Sequence, residues 1–465
     1  MTTFDHSTFI SPFTWRYGSE EMREIFSEKH KRILLRNIWI ALAKAQNKAG
    51  LVTDEQLKEL ENNRTNIDID RASEIENEIH HDLMAEIKTY AEQCPKAGAI
   101  IHMGATSMDI LDNMDPYRFK EAMAIIIKKT KVLLNEFVLK MEEYKALPCM
   151  AFTHIQPAEI TTVGYRFSQT AQDLLADYNT LLFTYNDIKG KGFKGAVGTG
   201  ASYKELLAGT SLSSIEMEEI AMKELGLEAF DAATQIYTRK QDLAIISALS
   251  SLCATISRFA LDFRILQSPP IGEWSEPFGK KQVGSSAMPF KRNPINCEKT
   301  DSLCRFVESQ YQTAWQNATA MILERTLDDS ANRRIMFPEA FLATDEILNT
   351  ITKVVKGMVV HLPAIEKSMK NYGLFSATER LLMEMGKRGA DRQEMHEVIR
   401  EESLKAWALV QNGERNPLCE NLSEDERILA YLKKDEIISL LDASDYIGDA
   451  TIRTERVINK VKAVL

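Results

Sequence analysis

The stretch "DPYRFKEAMAIIIKKTKVLLNEFVLKMEEY", residues 115–144, determines the fold class that we predict. Its apolar side chains recur at steps of three and four for about eight turns, which is typical of a buried seam on a long helix. The seam comprises Phe119, Met123, Ile126, Thr130, Leu133, Phe137, Met141 and Tyr144. Asp115 and Pro116 indicate the helix start, because proline favours the first helical position. Such a helix needs partners to cover its apolar face, so an oligomeric bundle is expected.

Similar helical patterns cover most of the remaining chain. Long helices are expected over residues 158–189, 235–266, 297–321 and 332–360, with shorter ones before and after. Strand-like alternation is nearly absent, so we predict an all-α fold. The change in helix length predicts three helical domains, at residues 1–108, 109–362 and 363–465, the central one a long-helix bundle.

Composition narrows the class of protein. The 465 residues are 44% hydrophobic and 27% charged, as in a soluble globular protein. A net charge of −10 argues against nucleic acid or an anionic membrane as the main partner. The six cysteines form no C-x-x-C pair, which indicates free thiols in a reducing compartment. The most apolar window, residues 243–257, is shorter than the ~20 residues of a membrane span, and no signal-peptide pattern is visible. We therefore expect a cytoplasmic protein.

The segment "GSSAMPFKRNPINCEK", residues 284–299, interrupts the helical pattern with a basic loop that carries two serines. A serine hydroxyl acts as a base only when cations or backbone N–H groups stabilise its alkoxide. Lys291 and the loop amides could stabilise Ser285 in this way. A solvated basic loop is the better interpretation of a bare G-S-S, but the whole run G-S-S-x-M-P-x-K-x-N is far more specific.

A second interruption, "FTHIQPAEITTVG" at residues 152–164, places His154 before a helix expected to start near Pro157. A lone histidine at a helix entry is more often a cap or a core group than a catalyst. The polar neighbours Thr153 and Gln156 favour a catalytic role. A histidine can serve as general acid near pH 7 if a carboxylate holds its other ring nitrogen.

A third polar region combines "HHDLMAEI", residues 80–87, with "IIHMGATSMDI", residues 100–110. Gly104, Thr106 and Ser107 offer small hydrogen-bond donors that suit an anion. A polar turn explains these residues nearly as well, so each motif alone is weak.

A fourth motif, "ERTLDDSANRRI" at residues 324–335, places Ser330 at a possible helix start with arginines nearby. Exposed amides at a helix start together with Arg325, Arg333 and Arg334 would form a phosphate site. The alternative is that these arginines form salt bridges with the neighbouring aspartates, 328 and 329. Such salt bridges must neutralise part of the positive charge.

The run G-S-S-A-M-P-x-K-R-N-P, residues 284–294, resembles the signature of the fumarase/aspartase superfamily. Arg292 after Lys291, together with "FTHIQPA", "GATS", "TQIYTRK" and "ERTLDDSANRRI", resembles the adenylosuccinate lyases, and the animal-type enzymes most. The resemblance implies an all-α homotetramer whose core is the central bundle, with each active site built from three subunits. It also implies elimination of fumarate from adenylosuccinate, giving AMP, and from SAICAR, giving AICAR, in purine biosynthesis without a cofactor.

The resemblance also assigns roles to single residues. His154 matches the general acid, Ser285 the general base, and Glu298 the carboxylate that orients the histidine. The fumarate-side groups are Lys291, Asn293, Thr106, Ser107 and Gln235. The phosphate groups are Arg16, Tyr17, Arg325, Ser330 and Arg334. The remaining substrate-facing positions are His80, His81, Asp82, His102, Thr153, Ser286 and Lys299. His80 and Lys299 stand where the animal enzymes carry arginine, and a lysine lacks arginine's bidentate fork.

The chemistry is consistent with these residue types. Removing a proton next to a carboxylate creates an enolate-like dianion, which Lys291 and the loop amides could stabilise. His154 could protonate the leaving nitrogen. No H-x-x-x-H or cysteine pair offers a metal-ligand set, so no metal is expected.

Three other functions remain open on the sequence alone. The first is another lyase of the superfamily acting on a phosphate-free substrate, which the arginine motif disfavours. The second is a structural protein that reuses the fold, although this chain retains both the acid and the base candidate. The third is nucleic-acid binding through the basic loop, which the acidic net charge makes improbable.

Overall fold

In a computed structural model, the chain is described over residues 7–465, and the all-α fold class is confirmed. The α-helices are α1 Glu20–Ile25, α2 Glu28–Lys48, α3 Asp54–Asn62, α4 Ile69–Ile79, α5 Asp82–Gln93, α6 Ser107–Tyr144, α7 Val163–Asp187, α8 Ala201–Leu206, α9 Ser214–Leu225, α10 Lys240–Gln267, α11 Ile295–Thr319, α12 Ser330–Gly357, α13 Leu362–Lys387, α14 Arg392–Gln411, α15 Leu418–Glu424, α16 Glu426–Leu429, α17 Lys434–Leu441 and α18 Ala450–Lys462. The strands are β1 Pro148–Thr153, β2 Gln156–Thr162, β3 Trp274–Ser275 and β4 Val359–Val360, which form two antiparallel pairs.

The chain falls into two compact units. Unit 1 comprises the described part of Met1–Thr130 together with Asp177–Ala254 and Ser302–Asn349. Unit 2 comprises Lys131–Ala176, Thr255–Asp301 and Thr350–Leu465. The sequence predicted three consecutive domains, whereas each unit combines three separate stretches of the chain. The boundaries of the three domains stay a prediction.

Each unit has its own apolar core. In unit 1, α2 packs against α9, and Trp39 of α2 is 2% exposed within this core. In unit 2, the core is formed by α13, α14, α15 and α17. Met150 of β1 and Ile160 of β2 are paired across the hairpin and both lie in the unit 2 core. The base of the hairpin is therefore fixed by apolar burial.

The predicted start of the first long helix at Asp115 and Pro116 is wrong, because α6 begins at Ser107. The backbone N–H of Thr106 donates to Asp109 Oδ2 at 3.0 Å, which caps the new start. Pro116 lies inside the helix and has no N–H to donate to the carbonyl of Asp112. The backbone N–H of Lys191 donates to that carbonyl at 3.1 Å, so the missing helical bond is replaced.

The predicted helix start near Pro157 is also wrong, since residues 156–162 form β2. His154 and Ile155 form the two-residue turn of a hairpin, with φ of 54° and 60°. Two positive φ values in succession are typical of a type I′ turn, which normally carries Asn-Gly or similar residues. This turn has neither residue, so its local sequence carries no hairpin signal.

The other long helices start and end within a few residues of their expected positions. By length and composition alone, α10 is apolar enough to cross a membrane, so the expectation that its apolar stretch is too short is wrong. Of its most apolar window, 56% is buried inside the structure, and the core helix of a soluble protein passes the same test.

Candidate active site

Unit 1 contains a cavity of about 580 Å³, which we call the unit 1 cavity. Nine of the predicted substrate-binding residues line it: His80, His81, Asp82, Thr106, Ser107, Gln235, Arg325, Ser330 and Arg334. They come from four separate stretches of sequence. The fold therefore gathers in one place most of the residues that the third and fourth motifs and the family resemblance nominated.

One wall of the cavity is the corner between α4 and α5. His80 ends α4 in the left-handed conformation, with φ of 54°. Nδ1 of His81 accepts the backbone N–H of Met84 at 3.3 Å and thereby caps α5. In the neutral ring the proton consequently lies on Nε2. Asp82, the first residue of α5, lies where a helix start favours negative charge.

A second wall is the start of α6, held by a buried carboxylate. Asp109 is fully buried, and it accepts Nζ of Lys191 at 2.6 Å and the hydroxyl of Tyr203 at 3.1 Å. Because Asp109 also caps the N–H of Thr106, these contacts fix the two hydroxyl residues Thr106 and Ser107 at the cavity.

The third wall is the start of α12. Arg325 Nη1 donates to Asp329 Oδ1 at 2.8 Å, and Arg334 Nη2 donates to Asp82 Oδ2 at 3.2 Å. The salt bridging proposed as an alternative is thus present for Arg325. Each of these ion pairs engages one nitrogen of a guanidinium that has five N–H donors, so donors remain for a phosphate.

A buried network of charges, whose pairings the sequence motifs did not predict, forms part of the cavity lining. Arg333 donates to Asp242 Oδ2 at 2.7 Å and lies 3.1 Å from Asp115. Burial pushes the pKa of Asp115 upward, but the Arg333 and Arg118 guanidiniums bring it below its usual value. Arg333 is therefore committed to the network rather than to a phosphate. The sequence signal that could have revealed this network is a charged residue at a position where helical spacing places apolar side chains.

Three predicted residues of unit 1 are not among those that line the cavity. The Arg16 guanidinium lies 5.7 Å from the ring of Trp15 and 5.9 Å from that of Tyr17, on the exposed end of a short 3₁₀ turn. His102 accepts the indole N–H of Trp39 at Nδ1, 3.2 Å away. Burial lowers the pKa of His102, with Asp109 opposing the shift, which favours a neutral ring at pH 7.

In unit 2, the hairpin formed by β1 and β2 presents His154 at its tip. Thr153, His154 and the rest of the turn are exposed, and Ile155 is 66% exposed. No hydrogen bond or ion pair holds the His154 ring among the described residues. The side chain is therefore directed by the turn rather than by a partner.

The loop at residues 276–294, which we call the serine loop, is tied at both ends. Glu276 at its start accepts the backbone N–H of Cys297 at 2.7 Å and the side-chain amide of Asn296 at 2.7 Å. These bonds cap α11, which follows the loop. Further along, a Cβ on Gly284 would lie 2.1 Å from the carbonyl oxygen of Lys291, so only glycine permits this close approach.

Within the serine loop, backbone amides hold the hydroxyl of Ser285, whose role as a base stays a prediction. Its Oγ accepts the backbone N–H groups of Ala287 at 3.4 Å and Met288 at 3.1 Å. Backbone donors of this kind stabilise negative charge on the oxygen. Ser286 and Lys291 lie on the exposed part of the same loop, and Asn293 is half-buried near its end.

Glu298 and Lys299 lie in the first turns of α11. Glu298 Oε1 is 4.0 Å from Arg264 Nη2, and no contact with His154 is present among the described residues. Its role in orienting the histidine stays a prediction. Among residues 7–465, no group of three or more His, Cys, Asp or Glu side chains is placed to hold a metal ion.

A larger cavity, about 790 Å³, lies in unit 2 beside the hairpin and has Phe152, Ile155 and Arg456 in its lining. None of the predicted site residues lines it. Volume alone therefore does not indicate the candidate site, and the convergence of predicted polar residues favours the unit 1 cavity.

Comparison with known proteins shows the family of the chain. Residues 15–308 match a family model described as lyase, and residues 375–457 match one described as adenylosuccinate lyase C-terminus. The chain is 39% identical to adenylosuccinate lyase from Saccharomyces cerevisiae, with 98% of this chain and 95% of that protein covered. It is 35% identical to adenylosuccinate lyase from Archaeoglobus fulgidus, with 98% and 99% covered.

Solved structures show the same fold at lower sequence identity. The 3-carboxy-cis,cis-muconate lactonizing enzyme from Pseudomonas putida has a TM-score of 0.86 and 20% identity, covering 97% of this chain and 99% of that one. Fumarate lyase from Mesorhizobium has a TM-score of 0.83 and 19% identity, covering 95% and 98%. Sequence similarity over nearly the full length shows that the chain belongs to the adenylosuccinate lyase family of the fumarase/aspartase superfamily.

Proposed function

We propose that the protein eliminates fumarate from adenylosuccinate, giving AMP, and from SAICAR, giving AICAR, in purine biosynthesis. The observation that carries the proposal is the unit 1 cavity, where two helix starts and the arginines 325 and 334 converge with seven further predicted substrate contacts. A phosphate monoester joined to a larger polar body fits such a cavity, because helix starts and guanidinium groups both bind phosphate. The names of the full-length relatives support the same substrate.

In this proposal the substrate phosphate binds Arg325, Ser330 and Arg334. Ser330 is the first residue of α12, so its side chain and the first backbone amides lie at the positive end of the helix dipole. Thr106 and Ser107 lie at the equivalent end of α6 and supply hydroxyl and amide donors to a substrate carboxylate. Binding is thus assigned to groups that the fold already holds in place.

The reacting groups are His154 and Ser285. Ser285 acts as its alkoxide, which the two backbone amides on Oγ stabilise; Oγ takes the proton from the carbon next to the succinyl carboxylate and becomes the hydroxyl. Lys291 neutralises the dianion that results. His154 then donates a proton to the nitrogen as the C–N bond breaks, which releases fumarate and the amine product.

We further propose a homotetramer in which each active site contains residues of three subunits, working in the cytoplasm without nucleic acid or membrane as a partner. The exposed hairpin tip and the exposed serine loop support sharing, since an acid and a base need exclusion from water to work on a substrate. Exposed apolar side chains on the loop, Val283 at 76% and Phe290 at 83%, also support a covering surface.

The alternatives make different demands on the site. A related lyase acting on a phosphate-free substrate has no use for Arg325, Ser330 and Arg334 at one cavity. A structural protein that reuses the fold does not need the amides on Ser285. Neither alternative accounts for both observations.

The direct test is to incubate the purified protein with adenylosuccinate and follow its absorbance, with AMP and fumarate identified by chromatography. We expect stoichiometric formation of the two products. A parallel incubation with argininosuccinate serves as the control and should show no turnover. Cleavage of argininosuccinate alone, or of neither compound, would contradict the proposal.

A further inference from the structure

Asp329 immediately precedes α12 and is 1% exposed. Its backbone carbonyl accepts the N–H of Arg333 at 3.1 Å, so the residue occupies the N-cap position. Its carboxylate does not cap the helix. Oδ1 accepts Arg325 Nη1 at 2.8 Å, and Oδ2 accepts Arg239 Nε at 2.6 Å. Both carboxylate oxygens are therefore used by arginines.

Arg239 is itself anchored. Its Nη1 and Nη2 donate to the two oxygens of Asp112 in α6, at 3.0 and 3.2 Å. Its guanidinium also lies 4.6 Å from the ring of Tyr237, whose backbone N–H donates to Asp112 at 2.9 Å. A bidentate, stacked and buried arginine has little freedom to move. A continuous set of contacts thus leads from α6 through Arg239 and Asp329 to Arg325.

The other charges facing Asp329 act in the same direction. Burial raises the pKa of its carboxyl, but Arg239, followed by Arg325 and Arg333, brings it below the usual value. Asp329 is consequently ionised at neutral pH and holds both guanidiniums. The neighbouring carboxylate differs, because Asp328 is exposed and its Oδ1 accepts the hydroxyl of Thr326, on its own segment.

We propose that Asp329 is a positioning residue of the phosphate site, which orients Arg325 while Arg239 and Asp112 hold it in place. This inference rests on the proposed function, because it assumes that Arg325 binds the substrate phosphate. Asp329 borders the cavity, but both of its carboxylate oxygens are held by arginines, so its assigned role is positioning rather than direct binding. It fixes the direction of the guanidinium that does, and it sets the path by which the chain enters α12 and presents Ser330.

The informative substitution is Asp329→Asn. Asparagine keeps the shape but has one acceptor oxygen, whereas each of the two arginines requires one. One guanidinium then faces an NH₂ group, which is itself a donor. Since Arg239 retains Asp112, the arginine that loses its orientation is Arg325. The matched control is Asp328→Asn, which makes the same chemical change one residue earlier.

The experiment compares the wild type with these two variants by titration calorimetry for AMP, and by kinetics for KM, kcat and inhibition by fumarate. For Asp329→Asn we expect AMP affinity to fall and KM to rise by about tenfold or more, since an ionic hydrogen bond is lost. Fumarate inhibition and kcat should change less than about twofold, and Asp328→Asn should match the wild type in every measurement.

A double variant separates positioning from a general loss of structure. If Asp329 acts through Arg325, then Asp329→Asn added to Arg325→Ala should not weaken AMP further than Arg325→Ala alone. Should Asp329→Asn fail to fold, Arg239→Lys replaces it, because lysine keeps the buried charge but loses the bidentate contact. Arg239→Lys should then show the same selective loss of AMP affinity.

Two results would overturn the inference. One is unchanged AMP affinity in folded Asp329→Asn, and the other is equal weakening of AMP and fumarate. Failure of the proposed function is distinguishable from either, because it would show in the wild type as a lack of turnover of adenylosuccinate. Calorimetry with AMP does not depend on turnover and continues to test the positioning role.

Discussion

The unit 1 cavity and the two exposed elements of unit 2 differ in how their polar groups are held. Around the cavity, Asp109, Arg239 and Asp329 are buried and each makes several short polar contacts. On the hairpin and the serine loop, His154 and Lys291 are exposed. The groups proposed to bind substrate therefore lie beside a buried network within one unit, whereas the proposed acid His154 is exposed and the proposed base Ser285 lies half-buried in an exposed loop. The difference supports our proposal that catalysis uses an enclosing surface, which binding of the phosphate does not need.

Removal of the proposed acid and base should have the largest effect and tests this contrast most strongly. Removing a positioned acid or base typically lowers the rate about 10²–10⁴-fold, so His154→Ala and Ser285→Ala should each lose that much kcat. Their thermal unfolding should match the wild type, because neither side chain is buried against the core. His396→Ala, an exposed histidine on α14, is the control and should keep full activity. Near-normal turnover in either active-site variant would remove that residue from the mechanism.

The second prediction concerns the cavity. Arg334→Ala removes a charged hydrogen bond worth about 1.5–3 kcal/mol, so AMP should inhibit about 10- to 100-fold more weakly. Inhibition by fumarate should change little, because fumarate carries no phosphate. Inhibition constants for the two products in the wild type and the variant provide the measurement. Equal weakening of both would place Arg334 outside the phosphate site.

The third prediction uses pH to measure the preorganisation of the cavity. The folded pKa of Asp329 lies below its usual value despite burial, because Arg239 favours the charged form. Its contribution to stability is then complete above the unfolded pKa of about 4 and is lost as pH falls through the lower folded value. Asp329→Asn should therefore be less stable than the wild type at pH 7, by about 1.5–3 kcal/mol, and the difference should shrink below pH ~4.

Chemical denaturation of both proteins from pH 7 to pH 3 would check this. The buried Asp112 has its pKa raised, mainly by burial, but it is present in both proteins and its contribution largely cancels. A stability difference that stays constant over this range would contradict a charged Asp329 in the folded protein.

The fourth prediction is an absence of effect. Charge on the reacting dianion is assigned to Lys291 and backbone amides, and no cluster of three ligands occurs among residues 7–465. Activity should therefore survive exhaustive EDTA treatment followed by desalting. If activity is lost and only a divalent ion restores it, the hairpin and the serine loop do not supply every group that catalysis requires.

The sequence predicted the fold class because a seam of apolar residues sustained at helical spacing over many turns matches a long buried helix and does not match a strand. It also nominated part of the cavity, through the hydroxyls of the third motif and the arginines of the fourth, whereas His80, His81, Asp82 and Gln235 came from the family resemblance. It did not predict the hairpin, because β2 begins with Gln156-Pro157, which resembles a helix start, and the turn lacks glycine or asparagine. At this position the local sequence favoured a helix, whereas the structure has a strand.

The buried charge network was also beyond sequence reasoning. Arg239 and Asp329 are 90 residues apart, and Arg239 and Asp112 are 127 apart. The local sequence around these residues does not indicate that their side chains are in contact. In the case of Asp329, the sequence suggested salt bridging but could not name the partner that determines its role. Pairing over such distances is decided by helix packing.

The proposed catalysis depends most on the acid and the base of one active site belonging to different chains. Mixing His154→Ala with Ser285→Ala under conditions that permit subunit exchange tests this assignment, with each variant treated identically alone as the control. In hybrids, some sites would combine an intact Ser285 from one chain with an intact His154 from another. We expect recovery of about a quarter of wild-type activity at equal mixing, since both groups must come from intact chains. Hybrids shown to have formed that stay as inactive as the separate variants would contradict the assignment.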